Sequence, residues 1–208
     1  MNDGEYPARY HVEYQDRPLN RLTTFFRIFT VIPIAIVLGT VSGGGTWGGE
    51  DGYLYAGAAG GLLFAGPLLM ILFRKKYPRW WFDWNRELLR FTGRVGIYLS
   101  LLDDRYPSTD EQQALRLDLD YPDAESDLRR GMPLVKWLLA IPHYIVLFFL
   151  GIAAFVVVVI AWFAILFTGR YPRDLFDFVV GVHRWTLRVT AYAFVLTTDR
   201  YPPFRLSP

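Results

Sequence analysis

Positive charge is confined to parts of this chain, and that confinement limits its fold more than any other feature. All 22 Lys and Arg residues lie outside two windows, Ile28 to Phe73 and Trp137 to Gly169. The first window holds only Glu50 and Asp51 as ionised residues, both inside the glycine-rich run Ser42-Gly-Gly-Gly-Thr-Trp-Gly-Gly-Glu-Asp-Gly52. It therefore divides into two stretches, Arg21 to Val41 and Tyr53 to Phe73. Each has about 20 residues, which at about 1.5 Å per residue cross about 30 Å of hydrocarbon. Arg27 is expected to snorkel to the rim of the first. The second window carries no ionised residue and as one helix would measure roughly 50 Å, too long for an upright span. A hairpin turning near Gly151, with arms Met132 to Leu150 and Ile152 to Phe167, is favoured. Its rival is one span from Tyr144 to Thr168 preceded by an interfacial helix kinked at Pro142.

Orientation favours the hairpin. Positive residues in short connections prefer the cytoplasm, which places Arg74, Lys75, Lys76, Arg79, Arg129 and Arg130 inside. Arg170, Arg173, Arg184, Arg188, Arg200 and Arg205 require the same side, so an even number of crossings must separate the two groups. Both termini are then cytoplasmic, the loop with Glu50 and Asp51 faces out, and the chain is expected to pass through the membrane several times. A cleaved signal peptide is a poor reading of the first stretch, because Asp3, Glu5, Glu13 and Asp16 precede it.

The chain also repeats itself. Ile71-Leu-Phe-Arg-Lys-Lys-Tyr-Pro-Arg-Trp-Trp-Phe-Asp-Trp84 matches Ile165-Leu-Phe-Thr-Gly-Arg-Tyr-Pro-Arg-Asp-Leu-Phe-Asp-Phe178 at an offset of 94, continuing through Arg90/Arg184, Arg94/Arg188 and Tyr98/Tyr192. With one inserted residue it reaches Asp104-Arg-Tyr-Pro107 against Asp199-Arg-Tyr-Pro202. Upstream, Ile32-Pro33 aligns with Ile141-Pro142 and Arg27 with Lys136 at an offset of 109. Short alternating runs, Tyr10 to Tyr14 and Leu115 to Tyr121, suit strands that pair with each other. Tyr-Pro dipeptides at Tyr6, Tyr77, Tyr106, Tyr121, Tyr171 and Tyr201 end elements, since proline disfavours the helical conformation of the residue before it. Their tyrosines suit a bilayer rim. The expected fold class is thus an all-α integral membrane protein of two tandem repeats, residues 1–110 and 111–208. Each repeat is a short strand, a transmembrane hairpin and an interfacial amphipathic helix, packed with pseudo-twofold symmetry.

Arg170-Tyr-Pro-Arg-x-x-Phe-Asp-Phe178, the Arg184/Arg188 pair and Thr198-Asp-Arg-Tyr-Pro-Pro-Phe204 resemble the bacterial family known as domain of unknown function 4389, once per half. The resemblance implies a bacterial integral membrane protein of no assigned activity, so the expected location is a bacterial inner membrane. The first copy departs from the pattern at Trp80-Trp81 and Asn85-Arg-Glu87.

Asp83, Glu87, Arg90 and Arg94 fall on one line of a helix, and Asp177, Arg184 and Arg188 on the line of another, each beside a broad apolar surface. Helices of this kind lie in the headgroup plane. One reading of the lines is structural, solvated or paired across the halves. The functional reading makes Lys75, Lys76, Arg90, Arg94, Arg184 and Arg188 a pocket for anionic lipid headgroups.

Enzyme chemistry is not expected. There is no cysteine, and His11, His143 and His183 have no metal-ligand spacing. Asp118, Asp120, Asp123, Glu125 and Asp127 read as a solvated run, and the glycines precede no phosphate-binding helix. No cofactor or metal is expected. A net charge of +2 excludes nucleic acid by bulk electrostatics. The expected function is a non-enzymatic inner-membrane protein that organises lipid or scaffolds another membrane protein. The expected partners are membrane lipids, anionic ones included, and either a membrane protein or a second copy. The alternatives are a small transporter or channel and an accessory subunit of a larger membrane complex.

Overall fold

The computed structural model describes residues 6–42, 66–109, 111 and 113–208. They are mostly helical, with one two-stranded sheet. Strand β1 (Ala8–Val12) pairs antiparallel with β2 (Leu115–Leu119), Tyr10 opposite Leu117. The alternation read in the sequence is realised. Ala8, Tyr10, Val12, Leu115, Leu117 and Leu119 turn inward, while His11, Arg116 and Asp118 face outward.

Three short helices follow β1: α1 (Arg21–Phe25), α2 (Arg27–Thr30) and α3 (Ile32–Ser42). The expected first span is thus broken near Phe26 and Val31, just before Pro33, where proline restricts the residue ahead of it. Most of the second expected span and the glycine-rich outer loop lie outside the described residues. A π-helical turn, Met70–Arg74, leads to α4 (Arg79–Leu99), which packs on β2. Gly93 makes that approach possible, for a Cβ there would stand 2.5 Å from Leu115. After β2 come α5 (Met132–Leu139), α6 (Ile141–Thr168), α7 (Arg173–Thr190) and a second π-turn, Ala191–Val195.

The hairpin expected at Gly151 is not formed. Helix α6 runs unbroken for 28 residues, and Gly151 sits in its middle with open space around it. An interior glycine costs a helix only about 1 kcal/mol, whereas a turn among apolar residues would strip backbone groups of their partners. The chain reverses instead at Gly169, whose φ of 75° ends the helix in the left-handed region. The rival reading, one long helix preceded by a short one, is the geometry observed. It starts about three residues earlier than that reading placed it, at Ile141 with Pro142 in the first turn.

Helix α7 also departs from expectation. Its apolar face is covered by protein, with Val179, Val180, Val182, Trp185 and Val189 buried between α6 and β1. The tyrosines of Tyr6-Pro7, Tyr77-Pro78 and Tyr171-Pro172 are core residues too, not rim anchors. Tyr77 donates to the Val195 carbonyl at 2.6 Å, and Tyr14 to the Tyr171 carbonyl at the same distance.

Candidate functional site

The arginine lines of α4 and α7 grip backbone. Arg90 donates from Nε to the Leu117 carbonyl at 2.9 Å, and through its η nitrogens to Asp118 at 2.8 Å and Glu87 at 2.9 Å. Arg184 donates from Nε to the Tyr10 carbonyl at 3.0 Å and from Nη1 to Leu206 at 2.7 Å. Tyr10 and Leu117 are partners in the ladder, so the two arginines hold the sheet at one rung from two helices. One turn further, Arg94 donates to the carbonyls of Ser108 and Thr109 at 2.9 and 3.0 Å. Arg188 donates to Arg205 at 3.2 Å and Ser207 at 2.8 Å. A guanidinium offers five donors in a fixed fork, which suits it to clamping several carbonyls together.

The six lysines and arginines singled out from the sequence therefore do not converge. Arg184 and Arg188 line one cleft of about 360 Å³ with Arg9, His11, Arg116 and Asp118. Burial, then the charges of Arg205 and Arg184, hold Arg188 below its ordinary pKa. Arg94 is buried beneath residues 108 and 109. Lys75, left-handed at φ 48°, donates to the Glu125 carbonyl at 3.3 Å, and Lys76 is exposed beside it.

Two cations that the sequence reading left in the background are buried. Arg27, expected at a rim, is 3% exposed. Its Nη1 donates to the Tyr98 and Asp103 carbonyls at 2.8 and 2.6 Å, and the guanidinium lies 4.0 Å from the Tyr98 ring centre. Lys136 is fully buried, donates to the Thr198 carbonyl at 2.7 Å, pairs with Asp199 at 2.7 Å and lies 5.2 Å from the Tyr192 ring centre. The signal that could have found them is their alignment at an offset of 109, each with an aspartate-containing Asp-Arg-Tyr-Pro run downstream.

A second, apolar groove of about 670 Å³ opens between α6 and the ends of α2 and α4. Its polar floor is Ser100 and His183, whose Oγ and Nε2 are 3.0 Å apart. Burial pushes the His183 imidazole down to about 4, so the ring is neutral at pH 7. It stacks on Tyr10 of β1 with ring centres 6.0 Å apart. His143 accepts from the Trp185 indole N–H at 3.0 Å, and His11 lies on the outward face of the sheet. Among the described residues, no three His, Asp or Glu side chains group as metal ligands. The acidic run is engaged locally: Asp118 with Arg90, Asp120 with Arg9, and Asp123 with the amide of Glu125.

These features define a mostly helical body that carries, among the described residues, one helix, α6, long and apolar enough to cross a membrane. Residues 132–205, from α5 to the C-terminal tail, match the family model described as Domain of unknown function (DUF4389). The match takes in one copy. No curated protein and no solved structure matches the chain.

Proposed function

We propose that this chain is a non-enzymatic protein of a bacterial cytoplasmic membrane that organises lipid, built from two related halves about a pseudo-twofold axis. The observation that carries the membrane reading is α6. It has 28 residues without Asp, Glu, Lys or Arg, and only 6% of its most apolar window is buried in protein. That much apolar surface left in water would cost tens of cal/mol for each Å². The cleft of Arg9, Arg116, Arg184 and Arg188 supports contact with anionic headgroups. Paired clamps support the two-halves reading: Arg90 with Arg184, Arg94 with Arg188, and Arg79 and Arg173 over the Tyr121 and Tyr14 rings at 4.7 and 4.8 Å.

The expressed chain is expected to stay with membranes through an alkaline carbonate wash and to float with vesicles, more strongly when these contain phosphatidylglycerol. Recovery in the soluble fraction would refute the reading. Replacing Arg184 and Arg188 by Gln should both lower the melting temperature and reduce bound phosphatidylglycerol. Lowered stability with unchanged lipid content would leave the two arginines as clamps only.

A further inference from the structure

The apolar arc of α6 has ionised protein behind its middle. At about 100° per residue, the exposed large side chains between Ile145 and Phe167, among them Ile152, Val156 and Phe163, fall within about 140° of the helix surface. His143, Ala161 and Ile165 are buried on the opposite side. Helix α7 runs antiparallel along that buried side. Phe176 and Val179 cluster with Ala161 and Ile165 near one end, and Trp185 meets His143 near the other. Between these points His183 lines the same groove as Gly151, Ala154 and Val158, the middle of α6, and Tyr10 of β1 stacks on His183. The sheet therefore lies behind the midpoint of α6. Its outward face carries Arg9, His11, Arg116, Asp118 and Asp120.

An upright α6 would hold this sheet at the depth of the bilayer centre, where ionised groups are expensive and backbone edges have no water. Turned parallel to the membrane surface, the same body puts only the arc into lipid. Helix α7 then lies about 10 Å above α6, and the sheet about 10 Å higher again, in water. Both ends of α6 are tied to this one body. The start is held through Lys136 to Thr198 and Asp199, and the end through the Leu19 amide to the Gly169 carbonyl at 2.8 Å and Arg21 to the Phe167 carbonyl at 3.3 Å. Positive residues flank both ends, at Arg129 and Arg130 and at Arg170 and Arg173. The rule that keeps them on one side is satisfied by zero crossings as well as by two.

We propose that α6 lies in the plane of one bilayer leaflet, its Ile145-to-Phe167 arc among the lipid chains, and does not cross the membrane. This rests on the membrane reading above and not on headgroup contact by the arginine cleft, which it carries with the sheet into water. The polar face that an in-plane helix ordinarily carries itself is supplied here by α7 and the sheet.

The cysteine-free chain allows a direct test in vesicles of equal parts phosphatidylcholine and phosphatidylglycerol. Single cysteines at Phe148, Val156 and Phe163, all exposed, carry a fluorophore whose depth is read with lipids bearing quenchers at the headgroup or the chain end. Cysteines at Arg130 and Arg170, also exposed, report sidedness to an impermeant reagent. The in-plane arrangement gives similar shallow depths at all three positions and labelling of 130 and 170 from the same side. Depth greatest at Val156, with 130 and 170 labelled from opposite sides, overturns it while keeping the membrane reading. A chain that stays in solution unquenched, its arc covered by a second copy, overturns both. Each labelled variant is compared with the unsubstituted chain by circular dichroism and thermal unfolding, which guards against a misfolded variant.

Discussion

Arg27 and Lys136 occupy similar carbonyl cradles and are neutralised differently. Each is buried, donates to the carbonyl ahead of an Asp-Arg-Tyr-Pro run and rests against a tyrosine ring. Lys136 also has a carboxylate, Asp199, at 2.7 Å. In the first half the acids are taken by other partners: Asp104 by Arg17, and Asp103 by Arg105 at 2.9 Å and Arg17 at 3.7 Å. Arg27 is left with carbonyls and a ring. The same backbone frame thus tolerates two charge arrangements, because a guanidinium spreads its charge over several acceptors while an ammonium needs a concentrated counter-charge.

The largest expected effect breaks the pair in the second cradle. Lys136→Met leaves Asp199 without its cation and should cost about 3 to 5 kcal/mol, with Asp199→Asn recovering part of the loss in the double variant. Arg27→Met strands carbonyls but no carboxylate and should cost about 1 to 3 kcal/mol. Thermal unfolding of the two variants decides it, and equal losses would end the distinction between the cradles.

A smaller effect separates α7 from α4 by pH. His183 stands where the first half has Leu89, 94 residues earlier. Its folded pKa of about 4 lies below the ordinary 6.5, so the unfolded chain binds the proton first. Stability is fully present above pH 6.5 and falls as the pH drops toward 4, by about 3 kcal/mol at most. His183→Leu should remove that part of the acid loss, read as the difference between the two melting curves against pH. Identical curves would place the histidine in water.

The smallest effect tests likeness. Tyr14 and Tyr121 donate to the carbonyls of Tyr171 and Tyr77, themselves 94 residues apart. Tyr14→Phe and Tyr121→Phe should each cost about 1 kcal/mol, and equally. A loss confined to one would show that the two positions carry this bond unequally.

Much of this was legible in the chain. Period-two alternation found both strands and their pairing, and helical periodicity with the Tyr-Pro stops found α4 and α7, because these signals are local. What faces the arginines was not legible. Arg188 meets Arg205 and Ser207 through carbonyls, which every residue carries, so no residue type advertises the bond. Helix α6 was misread at Gly151 because window length was weighed against an upright span. A helix covered along one side by α7 need not match the thickness of a bilayer. Arg27 was misplaced because a cation beside an apolar run looks like a rim residue whether or not a carbonyl cradle awaits it.

The crosswise packing of helices on strands, α4 on β2 and α7 on β1, sets an order of events during synthesis. Arg184 reaches the Tyr10 carbonyl across 174 residues of chain. At ribosomal speed β1 is therefore made on the order of ten seconds before the helix that covers it. Through that interval the first strand and the inward ring of Tyr10 await a partner, while α6 emerges and becomes available to lipid ahead of α7. Burial of β1 against α7 waits until both have been made, and Leu206 and Ser207, which Arg184 and Arg188 hold, join after that.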